Sequence, residues 1–98
     1  MSSDVTPEPS ETIASVVLAV PGVHDLHAGV MGEVATYLPG RRVNGIRLKD
    51  DSCEVHVVLD YGVSVLEVAD LVRKAVEQQV AGPVHVTVED VVEARATS

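Results

Sequence analysis

The sequence predicts an α+β fold, a two-layer sandwich in which a small mixed sheet of three to four strands carries two helices on one face. Three observations lead there. The chain has 98 residues, the size of one small domain. It holds 22 Val against no Phe, no Trp and 2 Tyr, and β-branched side chains suit a pleated surface. Stretches of helical period also interrupt runs of strict alternation, in the order α-β-(β)-β-β-α-β.

The first helix is expected at residues 11–20, with Ser10 as its cap. Ile13, Val16, Val17 and Val20 fall on one face, and Pro21-Gly22 ends it. A short strand follows within Gly22 to Ala28. The glycine-rich stretch Gly29 to Gly40 reads as a connection, with room for a short strand at Glu33 to Tyr37. Two strands, Val43 to Lys49 and Cys53 to Tyr61, flank Asp50-Asp51-Ser52, a turn-forming cluster. A two-residue loop at Asp50-Asp51 sets Leu48 opposite Cys53, Arg47 opposite Glu54 and Ile46 opposite Val55. Apolar pairs then share one face and an opposite-charge pair takes the other. Cys53, Val55, Val57, Leu59 and Tyr61 form the inner set of the second strand.

Ser64-Val65-Leu66-Glu67 is a capping box that opens the second helix. Val65, Val68, Ala69, Val72, Val76 and Val80 line its buried face, and Gly82 is placed for a left-handed cap. The last strand runs from Val84 to Val91. It is expected to return parallel to the hairpin strand through a helical crossover. Residues 1–9 and 93–98 read as polar, disordered tails around one domain, 10–92.

The hydrophobic fraction is 46% and mean hydropathy +0.22, too apolar for a disordered chain. One cysteine cannot form an intrachain disulfide, which fits a reducing compartment. The longest apolar run, Ile13 to Val20, is far short of the ~20 residues that span a membrane. With no signal-peptide pattern at the start, a cytoplasmic location is expected. The net charge of −8 disfavours a phosphate polymer as partner. A core of small side chains buries little area per residue, so a homo-oligomer is expected.

Chemistry-bearing groups are sparse. His24 and His27 lie on a strand, where they face opposite ways, and no third metal ligand stands near them. Cys53 and His56 likewise face apart, so the imidazole cannot activate the thiol. No catalytic, cofactor-binding or metal residue is assigned, and no enzyme activity is expected. Gly29-Val30-Met31-Gly32 has the GxxG form by which KH domains clamp a nucleic-acid backbone. With Arg41, Arg42 and Arg47 it sustains an alternative reading as a small KH-like nucleic-acid-binding module. Tyr61 and Gly62 are a candidate interface, because tyrosine is common at hot spots. Their bland reading is structural: Tyr61 closes the inner register and Gly62 supplies the turn into the helix.

The run from Val55 to Val91 resembles the core of the alkaline shock protein family. The likeness rests on an apolar strand ending in Tyr61-Gly62, a helix of alternating valine and charge, and a closing strand with Val84, Val86 and Val88. Upstream, Val20 to Gly29 and Gly40 to Leu48 resemble the shorter actinobacterial members. The resemblance implies a non-catalytic envelope stress response protein without cofactor. It also implies docking on a small membrane-anchored partner protein, peripheral to the inner face of the membrane; together with the thin core, a self-associating scaffold is expected.

Overall fold

The structure is a computed structural model that describes residues 8–93. Its elements in chain order are α1 (Pro9–Leu18), β1 (Val23–Leu26), β2 (Ala35–Leu38), β3 (Arg41–Asn44), β4 (Ile46–Leu48), β5 (Cys53–Asp60), α2 (Val65–Glu77) and β6 (Val84–Val92). The α+β class and the two-helix layout follow the sequence expectation. Of the expected tails, residues 1–7 and 94–98 lie outside the described residues. Pro9 belongs to α1, where it occupies the first turn.

β5 is the centre of the sheet. On one side it pairs in parallel with β6, from Cys53 opposite Val84 to Asp60 opposite Val92. On the other side β4 and β1 lie end to end, both antiparallel to it. β4 covers Cys53 to Val55 in the register read from the sequence: Leu48 opposite Cys53, Arg47 opposite Glu54, Ile46 opposite Val55. β1 covers Val57 to Leu59. At the seam His56 donates its amide to Gly45 O and accepts from His27 N, each at 2.9 Å.

Gly45 makes that seam. The sequence suggested one strand from Val43 to Lys49, but the chain breaks at Gly45, which has φ +83°. Residues before it pair with β2 in a separate hairpin, Ala35 opposite Asn44 through Leu38 opposite Arg41. Pro39-Gly40 forms its turn, a signal present in the sequence. The hairpin is tied back by Thr36 Oγ1 donating to Ile46 O at 2.7 Å.

Both bulges in the sheet anchor a side chain on β5. Between Val23 and Asp25 the extra residue is His24, whose Nδ1 lies 3.1 Å from Asp60 Oδ1. Between Val88 and Asp90 it is Glu89, whose Oε2 lies 2.5 Å from His56 Nδ1. A bulge redirects the extra side chain, and here both are aimed at the face away from the helices.

The helices bury their stripes on the other face. Ile13 and Val17 of α1 and Val68, Val72 and Val76 of α2 join Ile46, Cys53, Val55, Val57 and Leu59 in one core. The side chains are small, so close packing rather than area per residue holds this layer. Ser64 caps α2 by accepting from Glu67 N at 3.3 Å. The helix ends at Glu77, so Val80 packs from the loop beyond it, while Val65 at its start is exposed. Gly82 is not in the left-handed region; it is needed because a Cβ there would collide with the Asp51 carbonyl.

At α1 the expected cap is wrong. Glu8 is the cap residue and Ser10 lies inside the first turn. The Ser10 side chain is buried, and its hydroxyl has no hydrogen-bond partner among the described residues. Pro9, with its fixed φ, starts the helix earlier than the serine does.

Candidate functional site

Tyr61 does not close the inner set of β5. Its amide donates to Val92 O at 2.7 Å, extending the β5–β6 ladder by one bond. Gly62 then turns the chain with φ +97°, and no atom lies within 4 Å of where its Cβ would be. That left-handed step carries the chain out of the strand, and Val63 packs on the core instead. Tyr61 is left 74% exposed and Leu66, in the first turn of α2, 84% exposed. With the exposed Val65, they place three exposed apolar side chains along the turn from β5 into α2, an apolar corner of the chain.

The GxxG loop is occupied by its own chain. Gly29 N donates to His27 Nδ1 at 2.9 Å and Met31 N to Glu33 Oε1 at 2.9 Å. Gly32 N donates to Gly29 O at 3.1 Å. A phosphate in this loop would find these amides already engaged and the Glu33 carboxylate beside them. The arginines are also dispersed. Arg41 grips Glu11 through Nε at 2.6 Å and Nη2 at 3.1 Å. Arg42 lies over the Tyr37 ring at 5.9 Å, and Arg47 sits opposite Glu54. The structure therefore does not bring Gly29, Gly32, Arg41, Arg42 and Arg47 together. What the loop does present is its tip, Val30 and Met31, each 86% exposed.

The face of the sheet away from the helices is polar, and several of its side chains pair with one another. Lys49 Nζ lies 2.8 Å from Glu54 Oε2, and Glu54 Oε1 lies 3.8 Å from His56 Nε2. The Lys49 ammonium, chiefly by its hydrogen bond, holds the Glu54 carboxyl below its ordinary range. An open cavity of about 490 Å³ lies on this face, floored by Val58 and bordered by His24, His27, Asp25 and Asp90. Two of its carboxylates are engaged locally: Asp25 and Asp90 each accept the amide of the next residue, Leu26 and Val91, at 2.8 Å. His24 and His27 are likewise engaged separately, with Asp60 and with Gly29 N. Among the described residues no group of three or more His, Cys, Asp or Glu is placed to hold a metal ion. Cys53 is buried in the core and faces away from His56; burial, with Glu54 adding to it, pushes its thiol pKa up and keeps it protonated.

The exposure of Tyr61 and the β2–β3 hairpin are what sequence reasoning missed. Gly62 signalled the first and Pro39-Gly40 with Asn44-Gly45 the second. No helix among the described residues is long and apolar enough to cross a membrane.

A family model for alkaline shock protein 23, described as having a cell envelope-related function, matches residues 3–93. The chain belongs to this family. The match takes in the Val55 to Val91 run on which the resemblance rested and every element from α1 to β6. Membership in the alkaline shock protein family makes the function cell envelope-related. Comparison with curated proteins and with solved structures gives no significant match.

Proposed function

We propose that this member of the alkaline shock protein family is a non-enzymatic scaffold of the envelope stress response. It self-associates and docks on a small membrane-linked partner, working from the cytoplasm at the inner face of the membrane. The observation that carries this reading is the apolar corner of Tyr61, Val65 and Leu66. Large apolar side chains held out by a rigid turn, in a chain of net charge −8, cost solubility unless they are covered in the working state. Covering one such side chain contributes about 2 kcal/mol, and tyrosine supplies both ring area and a polar tip. The small-residue core adds support, since association supplies burial that the core does not.

Affinity capture from membrane and soluble fractions tests the reading, with wild type beside Tyr61→Ala and Leu66→Ala. Recovery of a membrane-spanning protein by the wild type, reduced at least tenfold by either substitution, is expected. A chain that captures no membrane protein and stays monomeric at millimolar concentration would leave the reading without a basis.

A further inference from the structure

The geometry points to the free edge of β6 as the seam between two copies of this chain. This deepens the self-association reading and rests on it. β5 is covered on one side by β1 and β4, and the hairpin of β2 and β3 is tied against β4. β6 pairs with β5 alone among the described residues. It is the longest strand, Val84–Val92.

The register shows which backbone groups are free. Cys53 pairs with Val84 in parallel and donates its amide to Pro83 O at 3.0 Å. A parallel ladder in that phase aims the backbone groups of His85 and Thr87 at β5. The amides and carbonyls of Val84, Val86 and Val88 then point away from the sheet. Edges of this kind are normally blunted by lysine, proline or a covering element. Val84-His85-Val86-Thr87-Val88 holds no lysine or proline, and among the described residues no further strand pairs with it.

The segment is complementary to itself, as a two-fold interface requires. Place the axis at Val86 in an antiparallel pairing. Val86 meets Val86 of the second copy, Val84 meets Val88, and His85 meets Thr87. The free amides and carbonyls of Val84, Val86 and Val88 then satisfy those of the other copy. On the helix side a valine row continues across the seam; on the other side imidazoles meet hydroxyls. No formal charge faces another, although the chain carries −8. The first carboxylate past the segment, Glu89, is drawn onto β5 by His56 at the bulge, which leaves the preceding residues straight.

The edge also predicts the sign of the salt effect. An uncharged seam between two acidic bodies tightens as salt screens their repulsion, whereas a basic partner segment would loosen.

Sedimentation of the full chain, at low and high salt, is the test, with Val86→Pro, the double variant His85→Lys/Thr87→Lys and cysteine pairs. Val86→Pro removes an amide that points outward and spares the β5 ladder. It is expected to weaken dimerisation about tenfold to a hundredfold. If that variant does not fold, His85→Lys/Thr87→Lys, at two exposed positions, gives the same reading. Under mild oxidation a mixture of H85C and T87C chains is expected to cross-link, while H85C alone and T87C alone are not. Association that tightens with salt, weakens in the edge variants and cross-links only in the mixture supports the seam. Association unchanged in the edge variants, or loosened by salt, overturns the seam and leaves self-association standing. A chain monomeric under every condition overturns both.

Discussion

The amide of His56 donates to the carbonyl of Gly45 at 2.9 Å, and the His56 carbonyl lies 2.9 Å from where a Cβ on Gly45 would sit. This one contact lets β4 and β1 share an edge of β5. The same Cβ would lie 2.8 Å from Leu26 Cβ, and the residue has φ +83°. Gly45→Ala therefore combines backbone strain with a clash that only main-chain movement relieves. A loss of about 2–3 kcal/mol in urea unfolding is expected. Gly62→Ala is the control. It has φ +97° but open space around its Cβ, so only the conformational term of about 1–2 kcal/mol applies.

The two serines at the helix starts are expected to behave with opposite sign. Ser64 accepts the Glu67 amide, and Ser64→Ala is expected to cost about 1 kcal/mol. Ser10 is buried with its hydroxyl unpartnered. Ser10→Ala removes an unsatisfied polar atom at almost constant volume and favours helix, so a gain of about 0.5–1 kcal/mol is expected. Thermal unfolding of both variants measures the difference.

How far the sequence carried follows the same lines. The hairpin of β4 and β5 was legible to the residue, because only one register puts Ile46 with Val55 and Arg47 with Glu54. The capping box at Ser64 was legible because its chemistry is local. Three things were not. Ser10 has the chemistry of a cap, but Pro9 starts the helix ahead of it. Residues 43–49 alternated as one strand, and only the crowding at Gly45, a tertiary fact, divides them. Tyr61 continued the period of β5, but the positive φ of Gly62 ends the strand before it. The apolar corner therefore depends on backbone geometry that periodicity does not encode.

Val72 lies at the centre of the buried stripe of α2 and is fully buried. With no aromatic ring in the core to shift into the space, Val72→Ala is expected to cost about 2–3 kcal/mol. That is a large fraction of the stability of a domain this small. A lower urea midpoint with an unchanged slope is the expected result.

Stability is expected to fall at both ends of the pH range, for different reasons. Glu54 beside Lys49 and Asp70 beside Lys74 and Arg73 have carboxyl pKa values held below their ordinary range, each chiefly by a hydrogen bond to a lysine. Groups depressed in the folded state contribute stability that is present above their unfolded pKa and is lost as pH falls through the folded one. The acid limb thus opens as pH falls into the ordinary carboxylate range and continues below it. Cys53 is raised by burial, so its contribution is full below the ordinary thiol range and declines as pH rises beyond it. Urea midpoints across pH, with the Cys53→Ala variant as reference on the alkaline limb, measure both. The same burial predicts that Cys53 resists alkylation at neutral pH until the protein unfolds.

If this member of the alkaline shock protein family acts by covering its own exposed surface with protein, its mass in solution depends on concentration. Sedimentation velocity from micromolar to millimolar concentration, at low and high salt, tests it most directly. A mass that rises with concentration from the 10.3 kDa monomer to at least the dimer, more readily at high salt, is expected. A sedimenting species fixed at the monomer mass throughout would contradict it.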